Sequence, residues 1–313
     1  MHSNIFNSQT GQLYYHQWQA EKPKAWIHIM HGMAEHSARY AELAAMLNQQ
    51  GIMVTGDDHR GHGQTGEAAD NLYHIGDRDS WNQLIEDQWQ LISYLSKQQQ
   101  LPLIILGHSM GSFMATRFCQ VYGDQLQSAL NGRLKGLVLS GSNYDAPIAF
   151  KVAAGAAWIE RARLGPREAS PIMEQLSFGA FDRSFKPTRT EKDWLSRDHQ
   201  VVDDYIADPY CGGAISSQSW YDFLQGMAEL TDPKAMAKID NRLPIYLFSG
   251  DLDPVGKRGA GVIKLQQALV DGGVKSVEIK LYQDGRHEML NEINKEEVYN
   301  DLLAWTTKAL QAG

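Results

Sequence analysis

This sequence has little cysteine, no long apolar run and no excess of basic charge. Only Cys119 and Cys211 occur among 313 residues, in neither metal-site nor redox-motif spacing, which excludes a disulfide scaffold and favours a reducing, cytoplasmic location. No stretch approaches the ~18 consecutive apolar residues of a membrane-spanning helix. The opening MHSNIFNSQTGQ lacks a basic segment followed by an apolar one, so we expect no secretory signal.

The charge balance is acidic, with 29 Lys and Arg against 37 Asp and Glu and a formal net charge of −8. This balance argues against an extended basic surface for nucleic acid and against a default attraction to anionic membranes. A small-molecule partner is the expectation that remains. A chain of this length holds one α/β core with an insertion, and its oligomeric state is left open.

Short apolar, β-rich runs alternate with helical patterns over most of the chain. The predicted helices lie at 38–50, 80–98, 110–122 and 259–271, and the predicted strands at 12–18, 25–31, 52–56, 103–107, 136–140, 245–249 and 277–282. This alternation predicts an α/β fold with a mainly parallel, doubly wound sheet. An antiparallel hairpin through Thr10-Gly11 is expected at its edge.

The alternation stops between about Asn143 and Asn241. This stretch is helix-like, is rich in Trp, Phe and Tyr, and carries prolines at 147, 166, 171, 187, 209 and 233. We interpret it as an inserted helical cap at 143–241, between core halves at 1–142 and 242–313. Most of its aromatic side chains are expected to pack internally, and the remainder to enclose an apolar tunnel for an acyl chain.

The segment GHSMG, residues 107–111, ends a predicted strand and opens a predicted helix. Small residues at both flanks let strand and helix approach a sharp turn that exposes the Ser109 hydroxyl, which is the physical content of the G-x-S-x-G nucleophile elbow. The first amides of the following helix favour developing negative charge. Ser109 is therefore the predicted nucleophile, with a plain helix N-cap as the alternative interpretation.

A serine nucleophile needs a histidine base, and the base needs a carboxylate to orient it. In α/β hydrolases the acid follows a late strand and the histidine follows the last one. His287 follows the strand at 277–282 and is the predicted base. Asp253 is preferred over Asp251 as the acid, because it lies beyond the turn at Gly250 and can reach sideways to the next loop.

The segment HGMAEH, residues 31–36, follows the strand at 25–31 directly. Lipases and esterases carry the loop that stabilises the oxyanion at this place. The backbone N–H groups of Met33 and of Met110, the residue after the nucleophile, are the predicted donors.

Together, HGMAEHSARY (31–40), DHRGHG (58–63), GHSMG and the acid and histidine loops resemble the monoacylglycerol lipase and lysophospholipase branch of the α/β hydrolases. That branch is also labelled serine aminopeptidase S33-like. The resemblance implies a cofactor-free serine esterase acting on a small lipid-like ester, with Glu35 and Arg39 near the polar end of the pocket. Membrane contact is expected to be at most transient, through the cap. The DHRGHG segment is expected to be a structural turn, because its spacing suits no usual zinc pattern, and no metal is expected.

Two other functions stay open at this point. A proline iminopeptidase-like aminopeptidase of the same fold would use an identical triad, and would need acidic cap residues to bind the amine of its substrate. The acidic residues that could bind this amine are Asp198, Asp203, Asp204 and Asp208. The same residues also fit a solvent-exposed face of the cap. A non-catalytic binding protein could keep the hydrolase shape with negligible turnover, although an intact triad argues against it.

Overall fold

The computed structural model describes residues 2–311, so Met1, Ala312 and Gly313 at the ends of the two predicted core halves lie outside it. Its centre is one eight-stranded sheet in the spatial order 1-2-4-3-5-6-7-8. The strands are β1 (His2–Ser8), β2 (Gly11–Trp18), β3 (Ala25–Met30), β4 (Ile52–Asp57), β5 (Leu103–His108), β6 (Leu134–Ser140), β7 (Ile245–Gly250) and β8 (Val277–Tyr282). All seven predicted strands are present.

Strand direction follows the predicted pattern. β1 pairs antiparallel with β2, and β2 pairs antiparallel with β4. The remaining pairs are parallel. The predicted edge hairpin is therefore confirmed, and β1 extends it from His2.

Helices cover both faces of the sheet. They are α1 (Ala41–Gln49), α2 (Gly63–Ala68), α3 (Ser80–Gln98), α4 (Met110–Ala129), α5 (Pro147–Leu164), α6 (Pro171–Leu176), α7 (Phe178–Arg183), α8 (His199–Ala207), α9 (Ser217–Leu230), α10 (Pro233–Met236), α11 (Ala260–Asp271) and α12 (Lys295–Gln311). Short 3-10 turns occupy Ser37–Tyr40 and Met289–Asn291. The helix predicted at 38–50 thus opens as a 3-10 turn.

Every residue of β3, β4, β5 and β7 is buried, which explains why these strands are continuous apolar runs and not alternating ones. One apolar cluster joins the sheet to α3, α4, α9 and α11, through side chains such as Leu91 and Phe118. A second cluster joins the other face to α1 and α12, through Leu47 and Leu302. The core is therefore a sheet between two helical layers.

Six helices, α5–α10, lie between β6 and β7, in the stretch predicted to form the cap. Within residues 141–244, all of which are described, the one pairing of β type outside the sheet is an isolated bridge between Ala169 and Ser216. Helices α5 and α9 pack together around Ala157 and Trp220 in a separate apolar cluster. The division at 142/143 and 241/242 stays a prediction. None of the helices in residues 2–311 combines the length and apolar character needed to cross a bilayer.

Candidate active site

Ser109 lies on the turn between β5 and α4, with φ 52° and ψ −120°. A positive φ is strained for a residue with a side chain and persists only where the surroundings hold it. Here the Ser109 N–H donates to the Ser140 carbonyl at 2.9 Å, and its carbonyl accepts from the Ser112 N–H at 2.8 Å. The turn therefore holds a half-buried serine at the carboxyl edge of the sheet.

The glycines around Ser109 are required by close packing. A Cβ on Gly107 would overlap the backbone of Gly111, and a Cβ on Gly111 would overlap the Met30 carbonyl at the end of β3. A Cβ on Gly32 would lie 3.2 Å from the Ser109 Cβ. Small residues thus let β3, β5 and α4 converge on the serine, as the sequence pattern predicts.

His287 and Asp253, from the loops after β8 and β7, are joined by a hydrogen bond. His287 Nδ1 lies 3.0 Å from Asp253 Oδ1. Asp253 is fully buried and also accepts from the Ser249 hydroxyl at 2.8 Å and the Val255 N–H at 2.9 Å. Asp251 has no such contact: within residues 2–311 its buried Oδ1 has no hydrogen-bond partner.

The buried pair shifts both pKa values in directions that favour an ion pair. Burial would raise the pKa of Asp253, but the charge and hydrogen bond of His287 lower it below its ordinary value. Burial would lower the pKa of His287, but the charge and hydrogen bond of Asp253 raise it above its ordinary value. Asp253 therefore stabilises the protonated imidazole, which is the state that a general base reaches after accepting a proton.

The imidazole of His287 packs close to the serine turn. Its ring centroid lies 4.8 Å from that of His108, the residue before Ser109, and a Cβ on Gly141 would lie 2.8 Å from its Cε1. Across residues 2–311 no hydrogen bond joins the side chains of Ser109 and His287, although Nδ1 is engaged. Catalytic hydrogen bonds of this kind are often long without substrate and tighten in the complex.

The N–H group of Met33 lies in the loop after β3 and that of Met110 at the start of α4, which follows β5, and β3 and β5 are neighbours in the sheet. Within the part of the chain that the structure describes, neither amide has a hydrogen-bond acceptor. Met110 is the first residue of α4, so its N–H belongs to the unpaired first turn of the helix. Both groups are therefore free to donate to an oxyanion.

Glu35 and Arg39 belong to a buried ionic cluster that also contains Glu288. Arg39 Nη1 donates to Glu35 Oε2 at 2.6 Å, and its two Nη atoms donate to the Glu288 carboxylate at 2.8 and 2.7 Å. Glu35 Oε1 accepts from the Gly32 N–H at 2.5 Å and the Tyr40 hydroxyl at 2.9 Å. The cluster thus ties the Met33 loop to the His287 loop, and these bonds engage the polar atoms of both predicted substrate-binding residues.

Two residues of the site were not identified from the sequence. Glu288 directly follows His287, but nothing local shows that its partner is Arg39, which is 249 residues away. Trp194 of the cap packs its ring 5.1 Å from that of His287, and its backbone carbonyl accepts from the His287 N–H. The sequence shows that the cap is rich in aromatic residues, but only the fold shows that Trp194 is the one that packs on His287.

The DHRGHG segment serves the architecture around the site. Asp58 accepts hydrogen bonds from the Ser37 N–H at 3.0 Å, the Ser37 hydroxyl at 2.6 Å and the Gln64 N–H at 2.9 Å. His59 stacks on His31, with ring centroids 3.8 Å apart, and its N–H donates to His31 Nε2. These buried contacts agree with a structural turn.

Residues 21–294 match the protein family described as serine aminopeptidase, S33. The chain is similar to the monoacylglycerol lipase of Mycolicibacterium smegmatis, with 26% identity over 295 residues that cover 92% of this chain and 90% of the relative. It is also similar to the monoglyceride lipase of Homo sapiens, with 25% identity over 97% of this chain and 90% of that protein. A thermostable carboxyl esterase from Bacillus coagulans, solved in complex with glycerol, superposes with a TM-score of 0.88 and 27% identity over 99% of this chain and 98% of that one.

Proposed function

The chain belongs to the serine aminopeptidase, S33 family and has the α/β-hydrolase fold, and from that premise we propose that Ser109, His287 and Asp253 hydrolyse a lipid ester through an acyl-enzyme. It is a carboxylic ester hydrolase of the monoacylglycerol lipase type. The 3.0 Å hydrogen bond between His287 Nδ1 and buried Asp253 is the observation that carries the assignment of residues. It leaves Nε2 of the imidazole as the basic atom for the serine.

In the proposed reaction, the Ser109 hydroxyl attacks the ester carbonyl while His287 Nε2 takes its proton. The tetrahedral intermediate places its negative oxygen at the N–H groups of Met33 and Met110, and removal of one such donor typically costs about 2.7–4 kcal/mol. Collapse of the intermediate expels the alcohol, which receives the proton from His287. Water, activated by the same imidazole, then releases the carboxylic acid and restores the serine.

The proposed substrate is a monoacylglycerol or a lysophospholipid. The names of the relatives support the monoacylglycerol, and the apolar surface of the cap supports a lipid in general. Large apolar side chains of α5 and α6 are 48–69% exposed: Ile148, Val152, Trp158, Ile159, Ile172 and Leu176. Exposed apolar side chains in such number suit transient contact of the cap with a lipid phase.

The aminopeptidase alternative depends on acidic cap residues that are already engaged. Asp208 accepts from His36, Asp203 pairs with Arg189, and the side chain of Asp198 caps α8. The fourth, Asp204, is exposed and accepts from a glutamine amide. The geometry therefore favours the ester over the amine.

Both cysteines are unpaired, and Cys119 is buried in the core. Free thiols persist where the surroundings are reducing, which supports the cytoplasm as the proposed location.

Ser109→Ala is the first test of this function. We expect it to abolish labelling by a fluorophosphonate probe and ester hydrolysis, with unchanged circular dichroism, because only the nucleophile is lost. If the alanine variant still labels, another serine is the nucleophile and the assignment fails.

A substrate panel tests the chemical class. We expect kcat/KM for monoacylglycerols to rise with acyl length to an optimum at medium or long chains, since each buried methylene contributes about 0.8 kcal/mol, and aminoacyl anilides to be cleaved poorly. Acetyl esters that match longer ones would make the protein a small-ester esterase. Preferred cleavage of alanyl or prolyl anilides would establish the aminopeptidase.

A further inference from the structure

Three side chains of types that bind metals meet beside the Met33 loop. They come from two distant parts of the chain. His36 Nε2, a carboxylate oxygen of Asp208 and Cys211 Sγ all lie within 4.8 Å of one another. His36 Nε2 and Asp208 Oδ2 are 2.9 Å apart. Among the side chains that the structure describes, which do not include that of Asp124, this is the one group of three or more such side chains that is close enough to hold an ion.

The three donors are of the kinds that zinc prefers. Zinc binds histidine nitrogen at about 2.0–2.1 Å, carboxylate oxygen at about 2.0–2.2 Å and thiolate sulfur at about 2.3 Å, in tetrahedral geometry. Neighbouring ligand atoms of such a tetrahedron are roughly 3.3–3.7 Å apart. The three donor atoms lie within 4.8 Å of one another, which is close to that spacing. A thiolate and an imidazole disfavour Ca²⁺ and Mg²⁺, which take oxygen ligands.

The backbone holds these donors together without an ion. The Tyr210 N–H donates to Asp208 Oδ1 at 2.8 Å, and the Cys211 N–H donates to the Asp208 carbonyl at 3.1 Å, so a tight turn places Asp208 and Cys211 close together. The Gly212 N–H and the Tyr205 hydroxyl each donate to the Ala34 carbonyl at 2.9 Å. Cap segment 205–212 is therefore hydrogen-bonded to Ala34, which lies two residues before His36 in the sequence.

Charge near the cluster permits a cation. Two positive groups lie nearby: Lys192 packs over the Phe178 ring, and Arg39 is ion-paired with both Glu35 and Glu288. The three ion-paired side chains together leave one negative charge, to which Asp208 adds another.

We propose that His36, Asp208 and Cys211 bind one zinc-class divalent ion that clamps cap segment 205–212 to the loop carrying Met33. This site lies outside the Ser109, His287 and Asp253 triad, goes beyond the proposed ester hydrolysis and departs from the sequence-based expectation of no metal. A clamp between cap and core slows any step for which the cap must move, such as entry of an acyl chain or release of the fatty acid. Zinc-class ions are therefore inhibitors that act without touching the triad.

Binding is tested with Co²⁺ as a spectroscopic probe and with Zn²⁺ as its competitor, in the absence of any ester. We expect one Co²⁺ per chain, with the near-ultraviolet absorption of a cobalt–thiolate bond, displaced by one equivalent of Zn²⁺. Loss of an outer-sphere partner already weakens metal sites about 10–100-fold, so Cys211→Ser and Asp208→Asn should weaken binding at least that much. Cys119→Ala removes the other thiol, which is buried in α4, and should leave binding unchanged.

The clamp is tested with Zn²⁺ in ester hydrolysis. Zinc should lower turnover of the wild type, a chelator should restore it, and Cys211→Ser should keep its metal-free activity and resist inhibition. Thiolate absorption that persists in Cys211→Ser, or no Co²⁺ binding at all, overturns the site. Equal inhibition of both proteins places the ion elsewhere, and binding without any effect on turnover overturns the clamp. Because binding is measured without substrate, these outcomes are distinct from a failure of the ester-hydrolase assignment.

Discussion

Replacing Arg39 by alanine tests the ionic cluster that joins the two loops of the site. The side chains of Glu35 and Glu288 are each 4% exposed and that of Arg39 is 11% exposed. The substitution therefore leaves two buried carboxylates without their cation. Breaking a buried pair in this way costs about 3–5 kcal/mol, and we expect the free energy of unfolding to fall by that amount at neutral pH.

The size of this loss should depend on pH. In the wild type, burial would raise the pKa of Glu288, but Arg39 lowers it from 4.5 to about 2. The stability that this group contributes is thus present above the unfolded-state pKa and is lost only as the pH falls towards 2. Without Arg39, the main influence that lowers the pKa of Glu288 is gone, so burial raises this pKa and acidification relieves the buried charge. The gap between wild type and variant should be widest near about pH 8 and narrow towards about pH 5.

Urea unfolding followed by tryptophan fluorescence measures both quantities. Lys308→Ala is the control, because its pair with Glu278 is exposed, at 69% and 43%, and such surface pairs contribute about 1 kcal/mol or less. Arg39→Lys keeps the charge but loses the two-pronged contact with Glu288, and should fall between wild type and alanine. A loss below about 1 kcal/mol for Arg39→Ala, or a gap that does not change with pH, would refute the reasoning.

Asp253→Asn should cut kcat by roughly 10⁴-fold, because an amide favours the wrong imidazole tautomer of His287, whereas Asp251→Asn should leave kcat nearly unchanged; equal losses in steady-state assays would reassign the acid. The acylation rate should fall on acidification through one ionisation that lies above the ordinary histidine value, because Asp253 outweighs burial and raises the pKa of His287. Single-turnover kinetics between about pH 5 and 9 would show it, and a flat profile would contradict this base. Gly111→Ala forces a methyl group into the backbone of β3 and should abolish folding, whereas Gly155→Ala, on the open face of α5, should stabilise by about 0.5–1 kcal/mol. Equal melting temperatures for the two variants would argue against the close packing described around the serine.

The features recovered from the sequence are those that local pattern determines. Strands β3 and β5 are mostly apolar runs of 6 residues because both faces of the sheet are covered there. The turn at Ser109 could be predicted from the sequence because its glycines are required by contacts within a few residues and with one neighbouring strand. Asp253 and His287 could be placed because the order of strands along the chain determines which loops meet at the carboxyl edge of the sheet.

Other features depend on contacts that no local pattern encodes. Pairing of Arg39 with Glu288 joins positions 249 residues apart, and the choice of Trp194 to cover His287 depends on how the cap folds back. Helix α12 is a different case. Val298, Leu302, Trp305 and Ala309 recur at helical spacing and are all buried, so this helix was readable from periodicity and was missed by the sequence analysis.

The position of the cap along the chain has a consequence for synthesis on the ribosome. Strand β6 lies between β5 and β7 in the finished sheet, but residues 141–244 are translated before β7 emerges. At about 5–20 residues per second, the nascent chain carries β6 as an open edge for roughly 5–20 s. An uncovered apolar strand is a template for pairing with another chain, so the nascent chain is most exposed to aggregation during this interval. The loops of Asp253 and His287, which complete the proposed triad, follow β7 and β8 and therefore also emerge late.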